Sequence, residues 1–329
     1  MNYIGSKFSL LDFLETSIKS CVGDNLSKFI FCDGFAGTGV VGAYFKNQIA
    51  KVIANDNEFY SFVLNQNLLM NKFGISELSS NLENFENLDK KQGKIYEFYA
   101  LGGGNERQYF SDENAVKIDT LRKEIENLRP KIGEQKYFCL LASLIESADK
   151  VANTASVYGA FLKKLKKSAQ KPLEFKISKF EPSVRKNEVY QSDLNELIKK
   201  ISGDILYLDP PYNHREYGAN YHILNTIALY DDFVPKGKTG LREYKKSKWC
   251  KKATAVGEFE NLIKNANFKY IFLSYNNEGI IQPNQIREIC EKFGKYEVFT
   301  KTYRRFKADN NRTQKANQTT EYLHFLEKN

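Results

Sequence analysis

The chain of 329 residues is poor in the residues that metal, redox and membrane proteins depend on. Its five cysteines (Cys21, Cys32, Cys139, Cys250 and Cys290) are scattered, and no two form a Cys-x-x-Cys pair. That pattern argues against both a zinc site and a disulfide framework. The three histidines, His214, His222 and His324, show no ligand spacing either, so no metal is expected. No apolar run approaches the ~20 residues that cross a bilayer. The start Met1-Asn2-Tyr3-Ile4 lacks a charged segment followed by an apolar one, so export is not expected. Tryptophan occurs once and proline seven times, while Asn, Lys, Ile, Phe and Tyr abound. This usage fits an AT-rich bacterial genome, which raises lysine without any function. The net charge of +9 suits a polyanionic partner, but local clusters of charge are the better guide.

What the chain does have begins at Asp204-Ile205-Leu206-Tyr207-Leu208, a short apolar run that predicts a strand buried on both faces. Asp209-Pro210-Pro211-Tyr212 closes it. Two prolines cannot continue a ladder, so the strand stops there, and they hold the backbone extended. The result is an acceptor pair, the Asp209 carboxylate and the Pro210 carbonyl, beside a flat aromatic ring. That combination suits a planar base carrying an exocyclic amine. Alone, the tetrad also reads as a strand-ending turn.

Upstream, Phe29-Ile30-Phe31-Cys32-Asp33 predicts a second buried strand running into Gly34-Phe35-Ala36-Gly37-Thr38-Gly39, after which a helix begins at Val40. Glycines at a strand-to-helix turn let backbone approach a ligand, and the helix start offers free N–H groups. No Lys-Ser or Lys-Thr follows these glycines, which excludes a Walker-type phosphate loop. A dinucleotide fingerprint is poorly matched, because the glycines stand at 34, 37, 39 and 42. The next run, Lys51 to Asp56, ends in an acid 17 residues past Gly39. An acid there commonly binds ribose hydroxyls; it also reads as the cap of a following helix.

In these motifs the chain resembles the Dam-like D12 class of DNA adenine-N6 methyltransferases. Asn2-Tyr3-Ile4-Gly5-Ser6-Lys7 resembles that family's N-terminal cofactor motif. Asp33 to Gly39 resembles its glycine-rich loop, Gln191-Ser192-Asp193-Leu194 its acidic motif, and Asp209-Pro210-Pro211-Tyr212 its catalytic tetrad. Ser274-Tyr275-Asn276-Asn277-Glu278-Gly279 resembles a segment of restriction–modification members. The resemblance implies a Rossmann-like α/β sheet of the class I S-adenosylmethionine-dependent type with a mainly helical insertion. It implies a catalytic domain over residues 1–73 and 188–329 and target recognition by 74–187. The cofactor would be S-adenosylmethionine, the substrate double-stranded DNA, and the setting the bacterial cytoplasm, with room for a separate cognate restriction endonuclease as partner.

Carried over by motif, Tyr3 and Lys7 would touch the cofactor's amino-acid end. Asp33, Phe35, Gly37 and Gly39 would line its methionine side, Asp56 its ribose and Asp193 its adenine, with Asp209 at the junction with the substrate. Phe35 also reads as core, and Asp193 as the cap of a helix starting at Leu194. Strands are expected near 51–55, 270–274, 296–302 and 321–325, with Val189-Tyr190 resuming the core pattern. In the middle, a helix is expected over Asp112–Leu128, ended by Pro130, with a second from Glu134 to about Lys150.

Three basic stretches are candidates for DNA contact. Lys163, Lys164, Lys166 and Lys167 follow small polar residues, and read equally as a solvated helix end. Lys236 to Lys252 is glycine-rich, basic and interleaved with aromatics, and predicts a mobile loop carrying Lys245, Lys246, Lys248, Trp249 and Lys251. Arg304 and Arg305, with Lys307, Arg312 and Lys315, form a looser patch. Arg215, just after the tetrad, would face the target pocket or the strand. An Asn in place of Asp209 would have leaned toward RNA or protein substrates, and a Ser-Pro-Pro-Trp tetrad toward cytosine-N4. A fused nuclease finds no Pro-Asp…Glu-x-Lys pattern.

Overall fold

All the expected strands form, and all lie in one sheet. In the computed structural model, residues 3–79, 85, 88–304 and 318–329 are described. The strands are β1 (Ile30–Asp33), β2 (Lys51–Asp56), β3 (Glu188–Gln191), β4 (Ser202–Leu208), β5 (Asn267–Asn276), β6 (Gly294–Arg304) and β7 (Gln318–Lys328). Their order across the sheet is β3-β2-β1-β4-β5-β7-β6. The first five run parallel, and β7 pairs antiparallel with both β5 and β6. The central strands are buried on both faces, as their continuous apolar runs require: Phe31, Cys32, Ile205, Leu206 and Leu208 are fully buried. The last three strands run two or more residues beyond their expected ends, because antiparallel strands with one wet face carry polar residues that hide their limits.

The chain divides into two compact units. The sheet unit comprises Gly5–Asn57, Arg185–Glu216 and Lys246–Asn329. Its helices cover the sheet through apolar stripes: Leu11, Leu14 and Ile18 in Leu11–Val22, and Ala255, Phe259, Leu262 and Ile263 in Ala255–Asn265. Trp249 is buried in this unit, packing edge-on to Phe35 and Phe259.

The helical unit comprises Glu58–Val184 and Tyr217–Lys245, with Tyr3 and Ile4. It therefore takes more of the chain than the expected insertion, including the helices Phe59–Met70 and His222–Leu229. Its core is rich in tyrosine, with Tyr60, Tyr99, Tyr109, Tyr158 and Tyr221 all buried. The long helical stretch Asp112–Val151 does not end at Pro130 as expected; it breaks at Gly133, where φ is 78° and ψ 163°. A proline near a helix end removes one hydrogen bond, whereas a positive φ stops the helix outright and is cheap only for glycine.

The expected mobile loop at Lys236–Lys252 is also corrected. Lys236 and Leu241 bridge through two backbone hydrogen bonds of 2.9 and 2.8 Å. Arg107 donates to the carbonyls of Lys238 and Gly237, and the Tyr99 hydroxyl donates to that of Gly240. Lys236–Leu241 is a tied turn, and Lys246 onward belongs to the sheet unit.

Candidate active site

The strand order reverses direction at β1, whose neighbours are β2 on one side and β4 on the other. In open α/β sheets ligands bind at such a switch point, outside the carboxyl ends of the strands. Asp33 closes β1 and Asp209 follows β4, and Asp33 pairs in register with Tyr207. Two carboxylates thus leave the sheet side by side at the place the topology favours.

Asp33 is buried, 1% exposed. Its Oδ2 accepts from the Gly42 amide at 3.2 Å, and its Oδ1 has no partner among the described residues. Burial, and then the charge of Asp209, pushes its carboxyl up to about 8. A buried polar atom without a partner costs about 1–3 kcal/mol, which makes Oδ1 a candidate contact for a bound ligand. The glycine turn beside it takes positive φ at Gly37 (52°) and Gly39 (77°). At Gly34 a Cβ would stand 2.7 Å from the end of the Leu194 side chain, which would have to shift to admit it.

Asp56 does not extend into open space. Its Oδ2 accepts the Gly37 amide at 2.8 Å and so holds the glycine turn. Asn55, which carried no signal in the sequence, does similar work: its side chain donates to the carbonyls of Gly34 and Ser192 and accepts from the Ser192 amide. One asparagine therefore joins the glycine loop to the acidic motif. Asp193 caps the short helix Leu194–Leu197 by accepting from Asn195 at 3.0 Å. Phe35 is half-buried against Trp249. Tyr3 lies in the helical unit, stacked on Tyr221 with ring centroids 4.6 Å apart.

The tetrad is held from three sides. Lys7, 4% exposed, places Nζ 2.8 and 2.7 Å from the two oxygens of Asp209. The same Nζ lies 3.5 Å from Glu321 on β7 and 5.0 Å from the Tyr212 ring centroid. The Tyr212 hydroxyl donates to Glu321 at 2.6 Å, its ring packs on Tyr275 at 4.8 Å, and its carbonyl accepts from Ile280 at 2.8 Å. Burial and the nearby negative charges of Asp209 and Glu321 hold the phenol neutral. Glu321 is the main residue missed by sequence reading. Leu323 and Phe325 are buried, and strand alternation puts Glu321 on their face.

The basic candidates divide. Lys163 and Lys164 are exposed in an irregular stretch, since the preceding helix ends at Val151 and not beside them. Arg215, Lys245, Lys246 and Lys251 are exposed, and exposed Lys248 lies 3.3 Å from Glu258. Trp249, at 6% exposure, has no face to stack on a base, a correction that follows from its place in the core. Arg304 ends β6, and Arg305 lies outside the described residues. Among the described residues no three His, Cys, Asp or Glu side chains converge as a metal requires, and no helix is long and apolar enough to cross a membrane.

Comparison with known proteins bears on this geometry directly. The family model described as D12 class N6 adenine-specific DNA methyltransferase matches residues 3–289. Type II methyltransferase M.NlaIII of Neisseria lactamica is 59% identical over 332 residues, covering 100% of this chain and 99% of that protein. Type II methyltransferase M.CviAII of Paramecium bursaria Chlorella virus 1 is 37% identical, with 99% and 98% covered. Type II methyltransferase M.FokI of Planomicrobium okeanokoites is also 37% identical, and there the chain spans 53% of that protein. With motifs, sheet order and matches of this length in agreement, the chain belongs to the D12 class of N6 adenine-specific DNA methyltransferases.

Proposed function

We propose that the switch point of the sheet holds S-adenosylmethionine beside a flipped-out adenine, and that the enzyme serves as the modification half of a Type II restriction–modification system. The observation that carries the reading is the Asp209 carboxylate, fixed by Lys7 next to the open, buried oxygen of Asp33. Asp33, Phe35 and the glycine turn suit the cofactor's methionine side, with Asp56 at its ribose and Asp193 at its adenine. Bound there, S-adenosylmethionine supplies a methyl group on an electrophilic sulfonium.

The chain's own residues prepare the acceptor. An adenine within a duplex hides its amine, and extruding it costs a few kcal/mol. Stacking on an aromatic ring returns roughly 1–3 kcal/mol, and Tyr212 offers that ring. The amine is a weak nucleophile because its lone pair is delocalised into the base. Asp209 and the Pro210 carbonyl accept its two N–H groups and localise that pair. The contribution is positioning and electrostatic preorganisation, with no covalent intermediate on the protein.

Double-stranded DNA is the substrate in this reading, gripped by Lys163, Lys164, Arg215, Lys245, Lys246, Lys248 and Lys251. The helical unit is the place for target recognition, and a separate endonuclease in the same cytoplasm is the partner. The Type II assignment is supported by relatives of that description covering the whole chain. The test is Asp209→Ala: methyl transfer to DNA disappears, while calorimetric binding of S-adenosylmethionine remains measurable. Retained turnover in that variant refutes the mechanism.

A further inference from the structure

Glu321 is a carboxylate buried within a strand. It is fully buried on β7, opposite Asn276 of β5 and Lys301 of β6. Leu323 and Phe325, on the same face, are buried as well. Taking a carboxylate out of water costs several kcal/mol, and an apolar residue of similar volume is often neutral or stabilising in such a place. Stability alone therefore gives no reason for a glutamate here. Its partners do: the Tyr212 hydroxyl at 2.6 Å and the Lys7 ammonium at 3.5 Å, the same ammonium that grips Asp209.

We propose that Glu321 is a positioning residue for methyl transfer, setting the ring of Tyr212 through its hydroxyl and sharing the Lys7 ammonium with Asp209. The inference rests on the reading above, in which Tyr212 stacks the target base and Asp209 accepts its amine. Two consequences follow for the site. The Tyr212 ring is held at both ends, by Ile280 at its backbone carbonyl and by Glu321 at its hydroxyl. It therefore presents one orientation to an incoming base without losing rotamer freedom at that moment. In turn, the ammonium contacts both oxygens of Asp209 at 2.8 and 2.7 Å and reaches Glu321 at 3.5 Å, so Glu321 helps to fix the lysine that orients Asp209. Each Asp209 oxygen has a second lone pair for the adenine amine.

Burial strengthens the hold of Glu321 on a proton, and Lys7 opposes this. Either protonation state leaves an oxygen able to accept from Tyr212. The link survives across the neutral range.

The test compares Glu321→Met, Tyr212→Phe and the double variant in methyl transfer to host DNA, after the wild-type target motif has been read from methylated DNA. Glu321→Met is close in size and has no oxygen to accept from Tyr212, and a thermal unfolding scan checks that it folds. Removing a hydrogen bond to a charged group is worth roughly tenfold or more in rate. Each single variant is therefore expected to lower kcat about tenfold, with KM for cofactor and DNA within about twofold. The second substitution costs less in the double variant than alone, because both act on one link. A probe of 2-aminopurine at the target adenine reads looser stacking as brighter fluorescence in both single variants. Unchanged kcat and fluorescence in folded Glu321→Met, or losses that multiply in the double variant, overturn the inference. Retained turnover in Asp209→Ala would sink the underlying reading instead, so the two failures are distinguishable.

Discussion

Asp33 makes the stability of the unliganded enzyme depend on pH in an unusual direction. Its carboxyl is pushed from 3.8 up to about 8 by burial, with Asp209 and Asp56 adding to the effect and Lys7 and the Gly42 amide opposing it. The folded protein thus keeps a proton that the unfolded chain gives up above pH 4. Wherever the native state binds more protons than the unfolded one, stability falls as pH rises. The loss runs from near the unfolded value to about 8 and then levels off. Across pH 5 to pH 8 it amounts to roughly 4 kcal/mol from this one group. Asparagine cannot ionise, so Asp33→Asn removes this pH dependence. Urea unfolding of both proteins at pH 5, 6.5 and 8 measures it. The wild type is expected to lose stability relative to Asp33→Asn at every step upward. Parallel pH dependences for the two proteins refute the argument. In the reading above the cofactor's cation ionises Asp33 on binding, so calorimetry near pH 7 is expected to show proton release that the asparagine variant lacks.

Other expectations follow from residues placed by the structure. Trp249→Ala empties a buried site beside Phe35 and Phe259. It is expected to cost about 3–5 kcal/mol of stability, with little change in the salt dependence of DNA binding. Unfolding curves and filter binding separate the two. Replacing Lys245, Lys246 and Lys251 together by alanine is expected to weaken DNA binding without regard to sequence. For each phosphate that is no longer neutralised, the slope of log affinity against log salt becomes shallower by about 0.9. A slope unchanged in the triple variant removes those lysines from the interface.

Legibility in the sequence followed burial. The strands β1, β2 and β4 announced themselves because they are buried on both faces, so their apolar runs are continuous and end at Asp33, Asp56 and Asp209. The tetrad was legible because two prolines can stand there only if the strand has stopped. Glu321 was not, since its partner lysine is more than three hundred residues away in sequence and only the ladder of β5 with β7 brings them together. Trp249 misled for the converse reason. Lysines on both sides suggested a wet aromatic, but its own helical turn points it inward onto Phe35. Gly133 was overlooked beside Pro130, the more conspicuous helix breaker, because a positive φ cannot be told from a tolerated glycine without the backbone.

The position of β7 governs how the molecule comes into being during synthesis. Among the described strands this one is translated last, yet it belongs between β5 and β6. Until Gln318–Lys328 emerges, β6 has no neighbour to pair with and β5 presents a raw edge, an interval of a few seconds at ordinary elongation rates. Glu321 arrives on that final strand. A nascent chain therefore cannot close the clamp on Tyr212 before this strand has emerged, and competence to modify DNA waits for it.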